Sequence, residues 1–183
     1  MKIQKLAKAI KKSKHLQVVN AVNEEGEAFQ MVGYLGNLYK IHNMPQLNDI
    51  QMLTFLGMDK EDKGKLNYQV IDTKSSMYYD YCPGEEPVFW RTLLCDPEVK
   101  AFWKSNGDDG EIVFTMVDSF DLSDITGGTQ AFLRGNKNDR YIAIKEGMFL
   151  KALLPVLEVS TDGRIEELEF ELKLLKGENR SGN

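Results

Sequence analysis

The sequence predicts an α+β protein in which antiparallel sheets carry helices packed on one face. Three observations predict this class. Apolar residues in the opening segment recur at helical spacing. The segments that follow are short, rich in β-branched residues and separated by turns that contain Gly and Asn. Hydrophobic residues make up 42% of the chain and charged residues 28%, so a core can form as in ordinary globular proteins.

The first element is an amphipathic helix with a basic face. Ile3, Leu6 and Ile10 fall on one side at a spacing of about 3.6 residues. Residues 1–22 contain six lysines and no acidic residue. We expect the apolar stripe to be buried and the ammonium groups to face outward. The lysines on the opposite arc are Lys2, Lys5, Lys8, Lys11 and Lys12.

The rest of the first half alternates strands with one short helix. Two strands, over residues 15–22 and 28–32, flank an Asn-Glu-Glu-Gly turn. A short helix capped by Asn48 or Asp49 comes next, because Asn and Asp side chains accept hydrogen bonds from the first helical N–H groups. Residues 68–71 are predicted to form a further strand.

The second half is predicted to contain two helices and three strands. Asp96 and Pro97 are typical of a helix cap followed by a first-turn proline, and the helix would run through Trp103. A second helix is expected from Glu146 to about Leu157. The predicted strands cover residues 112–117, 141–144 and 168–174.

A segment rich in Tyr, Asp, Pro and Gly divides the chain into two predicted halves. Residues 1–75 would form an N-terminal helix-plus-sheet half and residues 88–176 a C-terminal one, with residues 76–87 as a connecting loop. Residues 177–183 are predicted to be a disordered tail. A helix followed by a strand hairpin opens and closes the chain, so we expect the two halves to be related.

The cysteine content and the lack of long apolar runs predict a cytoplasmic protein. Cys82 and Cys95 are too few for a disulfide framework, which favours a reducing compartment. No stretch approaches the roughly 18 consecutive apolar residues of a membrane span, so we expect no membrane partner. The basic N-terminus lacks the long apolar region of a secretory signal.

Catalytic, metal and cofactor motifs are weak in this sequence. The two histidines and two cysteines have no zinc-ligand spacing. The aspartates of residues 118–124 recur every three residues without the pattern of a calcium loop. Residues 127–129 lack the lysine of a phosphate-binding loop. We therefore expect no metal, no cofactor and no enzyme; an enzyme with a site assembled from distant residues, such as the 118–124 loop, is the least favoured hypothesis.

A group of aromatic residues is a candidate partner-binding patch. Tyrosine and tryptophan often anchor interfaces, because they combine apolar area with a hydrogen-bonding tip. The alternative is that Phe89 and Trp90 pack into the core while the tyrosines surround them. The candidate residues are Tyr78, Tyr79, Tyr81 and Trp90.

The lysine row of the first helix is a candidate nucleic-acid surface. Five lysines on one arc have no compensating glutamate at i±4, and such like charges repel each other. A polyanionic partner, the backbone of double-stranded DNA, would relieve that repulsion without sequence specificity. The alternative is an ordinary solvated helix face.

The repeated helix-and-hairpin order, with lysines on helices of a chain whose net charge is −5, resembles the DNA sliding clamps, the polymerase processivity factors. Residues 141–153 and 164–172 are similar to the strand–helix–strand order of one clamp unit, and the first helix with residues 16–22 is similar to another. The resemblance implies an oligomeric ring whose helices face the DNA backbone, which adds Lys151 to the DNA-contacting lysines.

Together these observations predict a non-enzymatic accessory protein of DNA replication, or of a phage or mobile element, that resembles a sliding clamp. The alternative is a protein-interaction or inhibitor module with no DNA binding, acting through the aromatic patch or by self-association.

Overall fold

The structure, a computed structural model, describes residues 3–92, 99–104, 111–116, 129–136 and 139–156. Within these residues the chain forms three α-helices, ten strands and one 3-10 turn. The first half contains α1 (Ile3–Ser13), β1 (His15–Val22), β2 (Ala28–Tyr34), β3 (Asn37–Ile41), α2 (Asp49–Phe55), α3 (Lys60–Gly64), β4 (Asn67–Thr73) and the 3-10 turn (Ser76–Tyr78). The second half contains β5 (Glu86–Thr92), β6 (Val99–Lys104), β7 (Glu111–Met116), β8 (Thr129–Asn136), β9 (Asp139–Glu146) and β10 (Phe149–Pro155).

The ten strands form one sheet, in which the order of neighbouring strands is β4-β1-β2-β3-β10-β9-β8-β5-β6-β7. Every neighbouring pair is antiparallel except β1 and β4, which are parallel. A parallel pair needs a crossover connection, and α2 and α3 supply it between β3 and β4. The predicted α+β class agrees with this architecture, whereas the prediction of purely antiparallel sheets is wrong, because β1 and β4 make the sheet mixed. The relation between the predicted halves stays a prediction, and β3 of the first half pairs directly with β10 of the second.

Helices α1 and α2 pack on one face of the sheet. The predicted apolar stripe of α1 is confirmed, since Leu6 and Ile10 are fully buried against strand residues that include Val18. The predicted cap of α2 is Asn48, whose side chain accepts a hydrogen bond from the N–H of Gln51. The side chain of Gln51 in turn accepts from the N–H of Asn48, which completes a capping box.

The opposite face of the sheet carries a second apolar cluster, covered by residues 74–85, here called the crossing segment. Met77 and Tyr78 of this segment pack against the cluster. Asp80 Oδ1 accepts hydrogen bonds from Lys40 Nζ on β3 and from the N–H of Leu150 on β10, both at 2.7 Å. The segment therefore crosses from the edge strand β4 to β5 over the middle of the sheet. The buried residues of the cluster are Val19, Met31, Leu38, Ala143, Leu150 and Leu153.

A buried charge cluster holds the end of the crossing segment. Arg134 on β8 is 1% exposed. Its guanidinium donates to Glu85 Oε2 at 2.9 Å from Nε and lies 2.6 Å from it through Nη2. The same guanidinium donates to the backbone carbonyls of Met77, Tyr79 and Asp80, between 2.7 and 3.1 Å.

A second buried cation completes this cluster. Lys145 Nζ on β9 lies 2.6 Å from the other oxygen of Glu85. One carboxylate thus faces two cations, and the backbone carbonyls of the crossing segment satisfy the remaining donors of Arg134.

The helix predicted from Glu146 to about Leu157 is wrong. Gly147, with φ of +58°, turns the chain between β9 and β10, and Phe149–Pro155 is a strand. Leu153 belongs to one apolar cluster and Leu154 to the other, so both faces of β10 are covered. A strand covered on both faces loses the alternation that distinguishes it from a helix in the sequence.

The helix predicted from Asp96 through Trp103 is also wrong over the part that the structure describes. Val99–Lys104 is strand β6, paired antiparallel with β5 and β7. An Asp-Pro pair marks turns as well as helix starts, and the β pairing of the following residues prevailed over it. Strands predicted at 68–71, 112–117 and 141–144 are found as β4, β7 and β9, whereas residues 168–174 and 177–183 lie outside the described residues.

We predict that Arg134→Met lowers the free energy of unfolding by about 3 kcal/mol, because it leaves Glu85 with Lys145 as its partner in the cluster and removes the donor to three backbone carbonyls. Arg134→Lys is expected to recover little of this, since an ammonium cannot reproduce the planar fork. Urea unfolding followed by circular dichroism measures both. The control is Lys63→Met, which removes an exposed pair with Asp49 and should cost less than about 1 kcal/mol. Equal losses in Arg134→Met and the control would contradict the structural role given to the cluster.

Candidate functional site

An open groove lies at the end of the sheet where β1 and β3 end and β2 and β10 begin. Its volume is about 870 Å³. Its walls are the β1–β2 turn, residues 42–45 after β3, the middle of the crossing segment, and Phe149 at the tip of the β9–β10 hairpin. Four separate parts of the chain therefore meet at this groove.

Large apolar side chains are exposed at the groove. Tyr81 is 69% exposed, Phe149 61% and Met44 43%, and all three line it. Met148, 82% exposed, is next to Phe149 in the hairpin turn. These four are half of the eight exposed large hydrophobic side chains in the described part of the chain. Single exposed apolar residues are normal, but clusters of them mark interaction surfaces.

An acidic turn borders the groove. The Asn-Glu-Glu-Gly turn predicted from the sequence forms because Asn23 Oδ1 accepts hydrogen bonds from the N–H groups of Glu25 and Glu27, at 3.1 and 2.8 Å. Gly26 supplies the positive φ of +83° that the turn requires. Glu24, Glu25 and Glu27 are consequently exposed beside the apolar residues.

The floor of the groove is held by contacts between the crossing segment and the sheet. The hydroxyl of Tyr79 lies 2.7 Å from the carbonyl oxygens of both Val22 and Lys74. The rings of Tyr79 and Phe29 meet edge to face at 6.3 Å. Lys40 Nζ lies 4.4 Å from the centre of the Phe29 ring and 2.7 Å from Asp80. The lining thus has four carboxylates, one of them paired, against one amine.

The imidazole of His42 lies at the groove, and the fold lowers its pKa. Burial lowers its pKa from 6.5, and the positive charges of Lys151 and Lys40 lower it further; Asp80 opposes them more weakly. In the described part of the chain, its buried Nε2 atom has no hydrogen-bond partner. The neutral imidazole is therefore the favoured form in the folded protein.

The aromatic residues predicted to bind a partner are only partly brought together. Tyr79 and Tyr81 line the groove. Tyr78 instead packs against the second apolar cluster, and burial, with a smaller effect of Asp139, raises the pKa of its hydroxyl. Trp90 lies on β5, and its side chain is outside the described part of the structure.

The lysines predicted to contact DNA are divided between two elements. Those on α1 lie on the helix-covered side of the sheet, whereas Lys151 lies on β10, close to His42, and pairs with Glu146 at 2.8 Å. Lys11 pairs with Asp62 of α3 at 2.7 Å, a partner that no acidic residue on α1 itself supplies. Of the α1 lysines, Lys8, Lys11 and Lys12 are exposed, Lys5 is half-buried, and Lys2 lies outside the described residues.

The groove itself was not predicted from the sequence. The sequence feature that could have indicated it is the apolar pair Met148-Phe149 at the hairpin tip, which was assigned to a helix instead. The glutamates lie in or beside the predicted turn at residues 23–26, and Met44 lies where no element was predicted, so only their position at the groove with Phe149 shows their relation.

Other candidate chemistries find no support in the described residues. Within them, no group of three or more His, Cys, Asp or Glu side chains is placed to hold a metal ion. Within them too, no helix is both long and apolar enough to cross a membrane. Cys82 is a buried free thiol. Residues 118–124 and 127–128 lie outside the described residues, as does Cys95.

Comparison with known proteins assigns no family. No family model, no curated protein and no solved structure matches this chain. The resemblance to DNA sliding clamps therefore stays a prediction, and the helix on which its second unit depended is strand β10 in the structure.

We predict that protonation of His42 destabilises the fold. Because the pKa of His42 is lower in the folded chain than its ordinary 6.5, the unfolded chain takes up the proton first. The stability that the neutral ring contributes is present above about pH 6.5 and is lost as the pH falls through that value towards the folded pKa. The free energy of unfolding should therefore fall as the pH drops below about 6.5, and His42→Gln should reduce that fall. An NMR titration of the His42 ring with a midpoint at or above 6.5 would show this account to be incorrect.

Proposed function

We propose that this protein is a non-enzymatic protein-interaction module whose groove binds a basic segment with apolar side chains from a partner protein. The observation that supports this most is that three of the eight exposed large hydrophobic side chains of the described residues line one groove with an acidic border. The predicted alternative of an interaction module is thereby given a specific surface.

The apolar residues would supply most of the affinity. Fully burying a large apolar side chain contributes about 1.5–3 kcal/mol, and Tyr81 and Phe149 both have most of their surface available for burial. Interface anchors are also enriched in tyrosine. Because Tyr79, Phe29 and Lys40 already hold the floor, little side-chain ordering would oppose binding there.

The glutamates would select the charge of the partner. Glu24, Glu25 and Glu27 are exposed, so each is screened by solvent and contributes little affinity on its own. Three carboxylates in four residues nevertheless favour the approach of lysine- or arginine-containing segments and disfavour acidic ones. Binding should accordingly weaken as salt is added.

A displayed library of random peptides of about 12 residues tests this proposal. We expect selection on the wild-type protein to enrich peptides that combine Lys or Arg with Leu, Phe or Trp. A Tyr81→Ser, Phe149→Ser double variant should bind the selected peptides at least about tenfold more weakly, since it removes two anchors. The matched control is Ile50→Ser, which alters a side chain 67% exposed on α2, outside the groove. Equal enrichment on the double variant, or enrichment of acidic peptides, would contradict the proposal.

We propose, as a second candidate, the sliding-clamp-like accessory function in DNA replication or in a phage or mobile element. What favours it is that Lys8, Lys11 and Lys12 are exposed on α1, which has no acidic residue in its first turn. The pair of Lys11 with Asp62 is screened by solvent and contributes little stability, so a phosphate can compete for Lys11. Helices that pack on one side of a sheet are also what a clamp-like ring requires.

Fluorescence anisotropy with a duplex of about 20 base pairs tests the second candidate. Affinity should fall steeply with salt, and Lys8→Gln with Lys12→Gln should reduce the slope of log affinity against log salt by about 2. Control variants are Lys60→Gln and Lys65→Gln, two exposed lysines of and beside α3. A clamp-like ring would in addition bind circular DNA. No binding to duplex or circle at low salt would exclude a DNA function for α1.

A further inference from the structure

Strand β4 is an open edge of the sheet. It is the first strand in the sheet order and pairs with β1 alone, in parallel, over seven consecutive residues without a register shift. In the part of the chain that the structure describes, no strand pairs with its other side. A straight strand with unpaired N–H and C=O groups is a template for another strand.

The direction of the β4 backbone identifies the groups that remain available. The N–H of Asn67 donates to the carbonyl of Lys14 at 2.8 Å, so Asn67 faces β1. In a strand, the N–H and C=O groups of successive residues point to alternate sides, so every second residue after Asn67 also faces β1. The residues whose N–H and C=O point away from β1 are Tyr68, Val70 and Asp72.

We infer that β4 pairs antiparallel with β4 of a second copy of this chain, around a two-fold axis that passes between the two Val70 residues. The three outward-facing residues are centred on Val70, so this register brings outward groups opposite outward groups. Val70 faces Val70 of the second copy, and Tyr68 faces Asp72 of the second copy. Each such pair exchanges two backbone hydrogen bonds, which gives about six in all.

The side chains of β4 fit this symmetric pairing. Asp72 never faces itself, so no like charges lie directly opposite each other. Asp72 is also held within its own sheet, where its Oδ1 accepts a hydrogen bond from Asn20 at 2.8 Å. Val70 and Ile71 are 45% and 40% exposed, on opposite faces of the strand, and lie at the centre of the proposed contact.

Strand β4 lacks most of the features that normally protect an edge, and Asp72 is its one charged side chain. Its sequence, Asn-Tyr-Gln-Val-Ile-Asp-Thr, has no proline and no lysine, and its pairing with β1 contains no bulge. Two-fold homodimers are the commonest oligomers, and their interfaces must be self-complementary, as this register is. The inference is independent of the groove, which none of the β4 residues lines.

Sedimentation equilibrium with variants at the two-fold axis tests the inference. We expect the wild-type protein to show a concentration-dependent monomer–dimer equilibrium. Val70→Lys places two like charges opposite each other and should raise the dimer dissociation constant by about tenfold or more. Val70→Thr, which keeps the β-branched shape, should change it by no more than about threefold. Both variants should fold, because the exposed side chain and outward N–H of Val70 are not used by β1; circular dichroism checks this.

Cysteine cross-linking tests the register in a Cys95→Ser background that keeps the buried Cys82. Val70→Cys should cross-link to itself under mild oxidation. Ile71→Cys alone should not, but it should cross-link when mixed with Gln69→Cys, the residue that faces it across the axis. A wild-type protein that stays monomeric at the highest concentration tested, a dimer that Val70→Lys leaves unchanged, or cross-linking of Ile71→Cys as efficient as that of Val70→Cys would overturn the inference.

Discussion

The buried pairing of Arg134 with Glu85 is the interaction on which the second face of the sheet depends. The crossing segment has one short 3-10 turn and no strand, so side chains must hold it in place. Arg134 does so by donating at once to Glu85 and to three carbonyls of the segment, and Lys145 neutralises the other oxygen of Glu85. A buried guanidinium without these acceptors would be strongly unfavourable, so segment and sheet stabilise each other's polar groups.

The groove is a consequence of how the crossing segment is attached. Asp80 accepts hydrogen bonds from Lys40 on β3 and from the N–H of Leu150 on β10, which places Tyr79 and Tyr81 over the same end of the sheet. The β9–β10 hairpin ends there as well, and its turn leaves Phe149 in solvent. A rigid floor with apolar side chains standing at its border is the arrangement that lowers the entropic cost of binding a flexible segment.

Local signals in the sequence predicted local structure well. The stripe of α1 and the cap at Asn48 are encoded within a few neighbouring residues, and both are found. Features set by distant residues could not be predicted in the same way. Arg134 and Glu85 are 49 positions apart, and Lys11 meets Asp62 on a different helix, so neither pair leaves a spacing in the sequence. The same distinction applies to the candidate site. Tyr79 and Tyr81 were predicted from the local composition. Phe149 was not predicted, because both faces of β10 are covered and its sequence therefore resembles a helix.

The proposed pairing of β4 has a geometric consequence for the other two surfaces. Antiparallel strands in a continuous sheet are related by a two-fold axis perpendicular to the sheet, so each face of one copy continues as the same face of the other. Both α1 helices would then lie on one side of the joined sheet, and both crossing segments on the other. The exposed lysines of α1 would be doubled on a single surface, which increases its attraction for a polyanion. The grooves, bordered by glutamates, would remain accessible because β4 does not line them. Self-association would thus enlarge the basic surface on which the proposed DNA binding depends, and it would leave the proposed protein-binding groove unobstructed.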